Sequence, residues 1–495
     1  MGQSRPPQEL SQDPGTAPGM ASGSALAPFL REARRILGIG LPIFIAQLSQ
    51  IGMNFVDTVM TGHYSASSMA AVAVAGSVWA PAMLLAIGCL LALPGMGAQL
   101  AGARRPGDCA HLFRQGVLLA LALSLAIGIP LWLLASRLDA FGLEAGLAAQ
   151  ACAYLRALIP GLPGFLLFIC LRSLFEAFAR TRPAMAIGLA CLALNVPLNY
   201  AFIYGRLGMP QLGAMGCGVA TAACYWFMAL AMLGCMLFDR QLSALRPFSP
   251  RREDPVFDPA LVRRLLRIGG PNALALCVEC SLFALTAILL APFGTTAVAG
   301  HQIAMSYGNV LFAVPLSISM TATIRVGREL GAGRPLRART ASRMALALGL
   351  MLALAAMLAT LAFRREIVSA YTTDAASQAV AASLLLFCAG YLACDSLQCI
   401  GAGALRGWND TRTVFLTSLA ACGGLGLPLG FLLGRTDLLV PAMGAPGFWT
   451  GYIAAMTFSA ACYLLRLRGL QRLDARSALA RILPQGDDPA RRHRN

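Results

Sequence analysis

The chain alternates between long apolar segments and short polar gaps. Residues 117–134, 161–171, 184–203 and 344–363 are apolar over nearly their whole length, alone or together with their flanks. A helix that crosses the hydrocarbon core of a bilayer needs about 20 apolar residues. Open strands or bare loops would leave backbone polar groups unsatisfied in lipid, so these segments are predicted to be helices.

Twelve such helices are predicted when the apolar runs are separated at glycine, proline and arginine breaks. The twelve segments centre near Ser49, Met83, Ala122, Phe165, Leu194, Phe227, Leu276, Val310, Ala353, Phe387, Leu425 and Ala455.

Arginine is concentrated in alternate gaps between these segments. The gaps after the even-numbered segments and both chain ends hold most of it, for example Arg104, Arg105, Arg180, Arg182, Arg251, Arg252, Arg334, Arg337 and Arg339. The opposite gaps hold only about five arginines, namely Arg137, Arg206, Arg364, Arg365 and Arg435. Under the positive-inside rule this pattern predicts that both termini are cytoplasmic, which requires an even number of crossings.

The second half of the chain repeats motifs of the first half. Four pairs of motifs match at a shift of 229 to 231 residues: Ile39-Gly-Leu-Pro42 with Ile268-Gly-Gly-Pro271, Gly102-Ala-Arg-Arg-Pro106 with Gly331-Ala-Gly-Arg-Pro335, Thr181-Arg182 with Thr411-Arg412, and Gly213-Ala-Met-Gly216 with Gly444-Ala-Pro-Gly447. Chance similarity between apolar sequences would not keep one register over four motifs. Each copy has six crossings, so both copies insert the same way up.

The predicted fold is therefore all-α: a polytopic membrane protein with 12 transmembrane helices in two six-helix bundles, related by a pseudo-twofold axis along the membrane normal. The expected organisation is a disordered cytoplasmic tail at 1–32, an N-lobe at 33–238, a cytoplasmic linker at 239–260, a C-lobe at 261–467 and a basic cytoplasmic tail at 468–495.

Composition supports a membrane protein and argues against two other classes. Of the 495 residues 57% are hydrophobic and only 12% charged, about half the charged fraction of a soluble protein. The net charge of +17 comes entirely from arginine, and its position between apolar segments fits membrane topology better than nucleic-acid binding. Most of the 15 cysteines lie inside apolar segments, where cysteine behaves as a small hydrophobe. We expect no metal cluster of cysteine and histidine, no cofactor and no enzymatic activity.

Three acidic residues stand within the predicted helices. Glu279 and Asp395 lie in mid-helix, and Asp57 lies nearer the outer end of the first helix. An ionised group at the bilayer centre costs roughly 2.5–3.5 kcal/mol on insertion scales, so such residues usually face a cavity and carry function. Each of the three is still compatible with an interfacial position or with a neutral hydrogen bond between packed helices.

Polar residues at helical spacing accompany these acids. Tyr391 precedes Asp395 by four residues and so shares its face of the helix, where it either shares an ion or proton or packs at an apolar interface. Asn195 and Asn199 are also four apart and flank Pro197, which suggests a polar cavity wall, with amide bonds between helices as the alternative. A lone histidine, His301, is a weaker candidate for the cavity.

Several motifs resemble the NorM branch of the multidrug and toxic compound extrusion (MATE) family over about residues 33–465. They are Phe55-Val-Asp-Thr-Val-Met-Thr-Gly62, Phe175-Glu-Ala-Phe-Ala-Arg-Thr-Arg-Pro183, Asn195-Val-Pro-Leu-Asn199, Val298-Ala-Gly-His-Gln302 and Ala404-Leu-Arg-Gly-Trp-Asn-Asp-Thr-Arg412. Singly these motifs are weak, but their order and spacing are specific. The chain departs from the family in its long N-terminal tail and at Thr413, where the first copy has Pro183.

The resemblance implies a function and a set of site residues. Relatives of this type are cation-coupled drug exporters of two six-helix lobes. The resemblance implies ion coupling at Glu279, Tyr391, Asp395 and Asp57, with Na⁺ as one candidate ion at the first three. It implies a cavity that includes Asn195, Asn199 and Gln302, to which we add His301 and the aromatic Phe283 as walls.

The expected function is thus secondary active export of organic cations, such as drugs and dyes, in exchange for Na⁺ or H⁺ by alternating access. The expected partners are small organic cations, the coupling ion and the lipid bilayer, for a monomer in a bacterial inner membrane. A flippase for a lipid-linked saccharide is the alternative, although such proteins usually carry a cationic central cavity, whereas this chain places acids there. A channel would need a continuous polar stripe through a pore, which the sequence lacks.

Overall fold

The computed structural model describes residues 26–138, 144–239, 242, 255–438 and 440–472. Residues 1–25 and 473–495 of the two predicted tails, and most of the predicted linker, lie outside these residues. The first helix begins at Leu26, inside the segment that the sequence assigns to the N-terminal tail.

Twelve helices in the described part of the chain are long and apolar enough to cross a membrane, in agreement with the predicted number. They are α1 Leu26–Tyr64, α2 Ala66–Gly102, α3 Pro106–Ala135, α4 Ala145–Ala177, α5 Arg182–Tyr204, α6 Ala214–Phe238, α7 Pro259–Phe293, α8 Thr295–Gly331, α9 Pro335–Ser369, α10 Ala375–Gly407, α11 Thr411–Arg435 and α12 Ala445–Leu470.

Local sequence explains where several helices begin. Proline occupies the first turn of α3, α7 and α9, where its missing N–H removes no helical hydrogen bond. The carboxylate of Asp374 accepts a hydrogen bond from the Ser377 N–H at the start of α10, at 2.8 Å. Asp374 lies outside the membrane-spanning segment, and the hydroxyl and backbone N–H of Ser377 hold the pKa of its carboxyl below the usual value.

The helices form two six-helix halves, each with its own apolar core. The first core includes Trp79, Phe113 and Phe168, and Leu265 of α7 also packs into it. The second half has one core around Trp449 and Tyr452 and another around Trp408 at the opposite end of the helices. The predicted fold class of two six-helix bundles is therefore confirmed.

The internal repeat is visible in the backbone as well as in the sequence. Gly213 and Gly444 precede α6 and α12 with nearly the same dihedral angles, φ 56° and ψ −128° against φ 65° and ψ −134°, a region open almost only to glycine. Two further pairs at the same shift have positive φ: Arg104 with Gly333, and Ala179 with Asn409. Equivalent turns therefore connect equivalent helices in the two halves.

The two halves meet closely at one end of the bundle. This arginine-rich end is the one at which α2 ends, at Gly102, and α8 ends, at Gly331. A Cβ atom on Gly102 would lie 2.1 Å from the carbonyl oxygen of Arg328, and one on Gly331 would lie 1.9 Å from that of Gln99. Residues 102 and 331 differ by 229, as do 99 and 328, so the two contacts are symmetry equivalents.

Hydrogen bonds between the halves lie from the arginine-rich end to about mid-span among the described residues. The Gln99 amide donates to the Gly407 carbonyl at 2.8 Å and accepts from Asn409 at 2.8 Å. The guanidinium of Arg325 on α8 donates to Glu32 on α1 at 2.7 and 3.0 Å. Met320 on α8 lies against Arg172 and Gln47 of the first half. These contacts close the arginine-rich end of the space between the halves.

Candidate functional site

The first half holds a buried carboxylate surrounded by neutral donors. Asp57 is 6% exposed, and its Oδ1 accepts hydrogen bonds from the side-chain amides of Asn195, at 3.0 Å, and Asn199, at 2.6 Å. Its Oδ2 accepts one from the hydroxyl of Thr221 on α6, at 2.9 Å. No arginine is paired with Asp57 in the part of the chain that the structure describes. The carboxyl group is therefore held by neutral dipoles and not by an opposite charge.

The positions of these residues follow from helix geometry. Asp57 lies seven residues before the end of α1, about 10 Å along the helix axis. Asn195 and Asn199 project from one face of α5, as their spacing of four predicts, and Pro197 between them lies inside the helix. The structure brings these three predicted residues together. Thr221 was missed, because most hydroxyls inside a membrane helix bond only the carbonyl four residues before them.

An apolar cleft of about 310 Å³ lies beside this carboxylate. Thr221 belongs to both, since it lines the cleft and donates to Asp57. The other lining residues are mainly aromatic side chains and methionines of α1, α2, α4 and α6, including Met53, Trp79, Met83, Phe165, Tyr225 and Met228. Aromatic faces attract cations, and methionine adapts its shape to varied ligands. Sequence analysis did not single out these cleft residues, because they look like ordinary core residues.

The second half holds two acidic residues that lie near each other. Glu279 is in the middle of α7, and its Oε1 accepts hydrogen bonds from Gln398 of α10, at 2.9 Å, and Ser418 of α11, at 2.8 Å. Asp395 is 4% exposed on α10 and close enough to Glu279 for the two carboxylates to interact electrostatically. One of its oxygens, Oδ2, is buried with no hydrogen-bond partner among the described residues. The pair therefore offers oxygen atoms that a cation or proton would satisfy.

A cluster of rings borders this acidic pair. The Tyr391 side chain lies close enough to Asp395 for the two groups to interact electrostatically. The Tyr391 ring stands edge-on to Phe283, Trp449 and Tyr452, with centroid distances of 6.3, 5.9 and 6.4 Å. His301 is 1% exposed and lies 6.0 Å from Trp449, so it packs inside the half. The predicted residues Glu279, Phe283, Tyr391, Asp395 and His301 are thus assembled in one region.

Gln302 projects away from this cluster. It is exposed, whereas its neighbour His301 is buried. Gln302 precedes Met320 by 18 residues, five full helical turns, so it shares the face of α8 on which Met320 meets the first half. Along this face of α8, Met320 is in contact with the first half, whereas Gln302 is exposed.

Two arginines lie near the sites without neutralising them. Arg172 is paired with Glu176 at 2.7 Å, the structural ion pair that the spacing of four predicts. Arg406 interacts with Glu279 at longer range, while its Nε donates to Asn272 at 3.3 Å. Neither arginine forms a salt bridge with Asp57, Glu279 or Asp395 among the described residues.

Gln398 and Ser418 were missed by the sequence analysis. Gln398 follows Asp395 by three residues on the same helix, and this spacing is a signal that a wider search around each acid would have found. Ser418 precedes the π-helical segment Leu419–Gly426 of α11, and its sequence context gives no comparable signal.

Comparison with known proteins agrees with this architecture. The MatE family model matches residues 42–201 and again residues 271–432, one match in each half. Similar solved structures include the eukaryotic MATE transporter AtDTX14, with a TM-score of 0.81, 21% identity and coverage of 92% of this chain and 100% of that one.

Two other similar structures come from prokaryotes. One is a MATE transporter variant from Vibrio cholerae, with a TM-score of 0.81, 17% identity and coverage of 90% of this chain and 98% of that one. The other is a MOP superfamily transporter from Pyrococcus furiosus, described as having a binding pocket of reverse polarity, with a TM-score of 0.78, 19% identity and coverage of 93% and 99%. With both halves matched by the family model, this multi-pass membrane protein belongs to the multidrug and toxic compound extrusion (MATE) family of transporters.

Proposed function

We propose that the protein exports small organic cations from the cytoplasm in exchange for Na⁺ or H⁺. The observation that carries this proposal is the placement of Asp57, Glu279 and Asp395 within membrane-spanning helices, each without a salt bridge to an arginine among the described residues. A carboxylate inside a membrane helix that has no salt-bridge partner attracts a mobile cation, because no basic group in direct contact neutralises it.

The two halves have complementary roles in this proposal. The cleft beside Asp57 is lined by aromatic and methionine side chains, which suits an apolar organic cation. The Glu279–Asp395 pair lacks such a cleft among the described pockets but has two carboxylates and the hydroxyl of Ser418 close together, which suits a small ion. We assign substrate binding chiefly to the first half and ion coupling chiefly to the second.

Coupling follows if the halves rock about their contact and expose the sites to one side at a time. Cation binding to the acidic pair removes the repulsion between Glu279 and Asp395, so the conformation of α7 and α10 depends on whether the ion is bound. Each elementary charge that moves inward across the membrane gains about 2.3 kcal/mol per 100 mV. The arginine distribution supports a cytoplasmic location for both termini. The resemblance to bacterial exporters of this family extends the proposal to a bacterial inner membrane.

The test is efflux of a fluorescent organic cation from vesicles that contain the purified protein. A sodium gradient at uniform pH and a pH gradient without sodium are imposed in separate experiments, and the proposal requires at least one of them to drive transport. Glu279→Gln and Asp395→Asn should each slow driven efflux by about 10- to 150-fold, which corresponds to losing roughly 1.5–3 kcal/mol of interaction with a charged group.

Glu366→Gln is the matched control, because Glu366 is an exposed acid in the last turn of α9 and lies outside both sites. This variant should transport like the parent protein. If Glu279→Gln and Asp395→Asn also transported normally under both gradients, ion coupling through these carboxylates would be wrong.

A further inference from the structure

A basic pocket lies at the arginine-rich end of the second half, away from the sites described above. Its volume is about 310 Å³, and it is lined by Arg339, Arg343, Arg468, Gln471 and Arg472. The first two come from the start of α9, and the others come from the end of α12 and the two residues that follow it. Below it lies the apolar core around Trp408, which includes Ala338 and Leu467.

The four arginines of this pocket have no acidic partner in the described part of the chain. Nε of Arg339 is buried and has no hydrogen-bond partner there. Four like charges repel one another, and an unpaired buried donor adds a desolvation cost. Both costs are offset if an anion occupies the pocket.

The pocket lies at the end of surfaces that face lipid. After Arg343, exposed apolar residues continue along the same face of α9 at helical spacing: Ala347, Met351, Leu354 and Leu358. On α12, Phe458 and Leu465 form a similar exposed surface that ends at Arg468. Both helices pack on α10, where Ser396 bonds the Gly349 carbonyl and Gly401 contacts Tyr463. An acyl chain along these surfaces would place its headgroup at the arginines.

We propose that this pocket binds a phospholipid whose headgroup carries two phosphates, as in cardiolipin. A single phosphate would leave most of the arginine charge uncompensated, whereas two phosphates give each pair of guanidinium groups one anion. Arginine presents a planar set of donors that matches phosphate oxygens. Basic pockets between membrane helices on the cytoplasmic side are known to bind such headgroups. The proposal uses none of the residues assigned to transport.

The test measures lipid binding to the purified full-length protein by native mass spectrometry and by thermal stabilisation, with cardiolipin, phosphatidylcholine and inorganic pyrophosphate as probes. Cardiolipin should bind and stabilise, whereas phosphatidylcholine and pyrophosphate should not. Arg339→Gln/Arg343→Gln should weaken cardiolipin binding about 30-fold, the factor expected for two arginines at about 1 kcal/mol each.

Arg334→Gln/Arg337→Gln is the matched control, because it removes the same charge from the same end of α9, outside the pocket. It should bind cardiolipin like the parent protein. The proposal would be overturned if the control weakened cardiolipin binding equally, or if the pocket variant bound cardiolipin like the parent protein. It would also be overturned if pyrophosphate bound and displaced the lipid. If the double variant fails to fold, the single substitution Arg343→Gln at this exposed position should still weaken cardiolipin binding. Unchanged binding in the single variant would also contradict the proposal.

Discussion

At the scale of single residues, the Asp57 carboxylate depends on donors from α5 and α6. Replacing Thr221 with valine keeps the side-chain shape and removes the hydroxyl that donates to Oδ2 at 2.9 Å. Loss of a hydrogen bond to a buried charged group costs about 1.5–3 kcal/mol. We therefore expect Thr221→Val to lower the thermal unfolding midpoint of the purified protein and to slow efflux.

Thr58→Val provides the control for this substitution. Thr58 is exposed one residue after Asp57, and its hydroxyl bonds only the Asn54 carbonyl at 2.8 Å. Thr58→Val should leave the thermal unfolding midpoint and the rate of efflux nearly unchanged. Equal effects of the two substitutions would mean that the Thr221 hydroxyl contributes nothing particular to the carboxylate.

Residue spacing predicted part of each site and could not predict the rest. Residues four apart lie on the same face of a helix wherever that helix begins or ends. The common role of Asn195 and Asn199 could therefore be predicted from their spacing alone. Contacts between Glu279 and Ser418 join residues 139 apart in sequence. Such a contact depends on how α7 and α11 pack, which the apolar pattern of either helix alone does not determine.

At the scale of helices, the orientation of α8 separates His301 from Gln302. In Gln302→Cys the new thiol should react with a charged, membrane-impermeant maleimide, because this exposed position lies on the face that meets the first half further along α8. None of the 15 native cysteines is exposed, so background labelling should be low. Mass spectrometry of peptides identifies the labelled position.

Leu354→Cys on α9 is the comparison, since Leu354 is 40% exposed on the apolar surface that faces lipid. In membranes it should react slowly, because a thiolate forms poorly in hydrocarbon and the charged reagent is excluded from it. Slow reaction at position 302 and fast reaction at position 354 would mean that the open face of α8 has been assigned wrongly.

Helix number and class were predictable because each crossing needs about 20 apolar residues, whatever its neighbours are. The ends of the helices were less predictable. For example, α1 extends back to Leu26 through a stretch whose composition resembles a loop. The break of α2 near Leu91 precedes Pro94, and the π-helical segment of α11 contains Gly423 and Gly424 and precedes Pro428. These proline and glycine signals were present in the sequence but were not used to place the irregularities.

At the scale of the whole molecule, glycine sets how closely the halves approach. A Cβ on Gly269 of α7 would lie 2.0 Å from the Cys89 carbonyl oxygen of α2, whereas one on Gly270 would meet nothing within 4 Å. Gly269→Ala and Gly270→Ala change the same helix by the same atom and raise helix propensity equally. Only Gly269→Ala should force the halves apart, at a cost of about 1–3 kcal/mol. This cost lowers the population with the arginine-rich end closed by roughly 5- to 150-fold.

The native thiol of Cys89 reports this separation, because the side chain is 7% exposed and its backbone forms the contact. A membrane-permeant maleimide should label Cys89 faster in Gly269→Ala than in the parent protein, with Gly270→Ala unchanged, as measured by peptide mass spectrometry. Transport by Gly269→Ala should slow if the closed arginine-rich end is a required state of the cycle. Equal labelling in all three proteins would mean that the halves do not part along α2 and α7, and alternating access would then need a different moving contact.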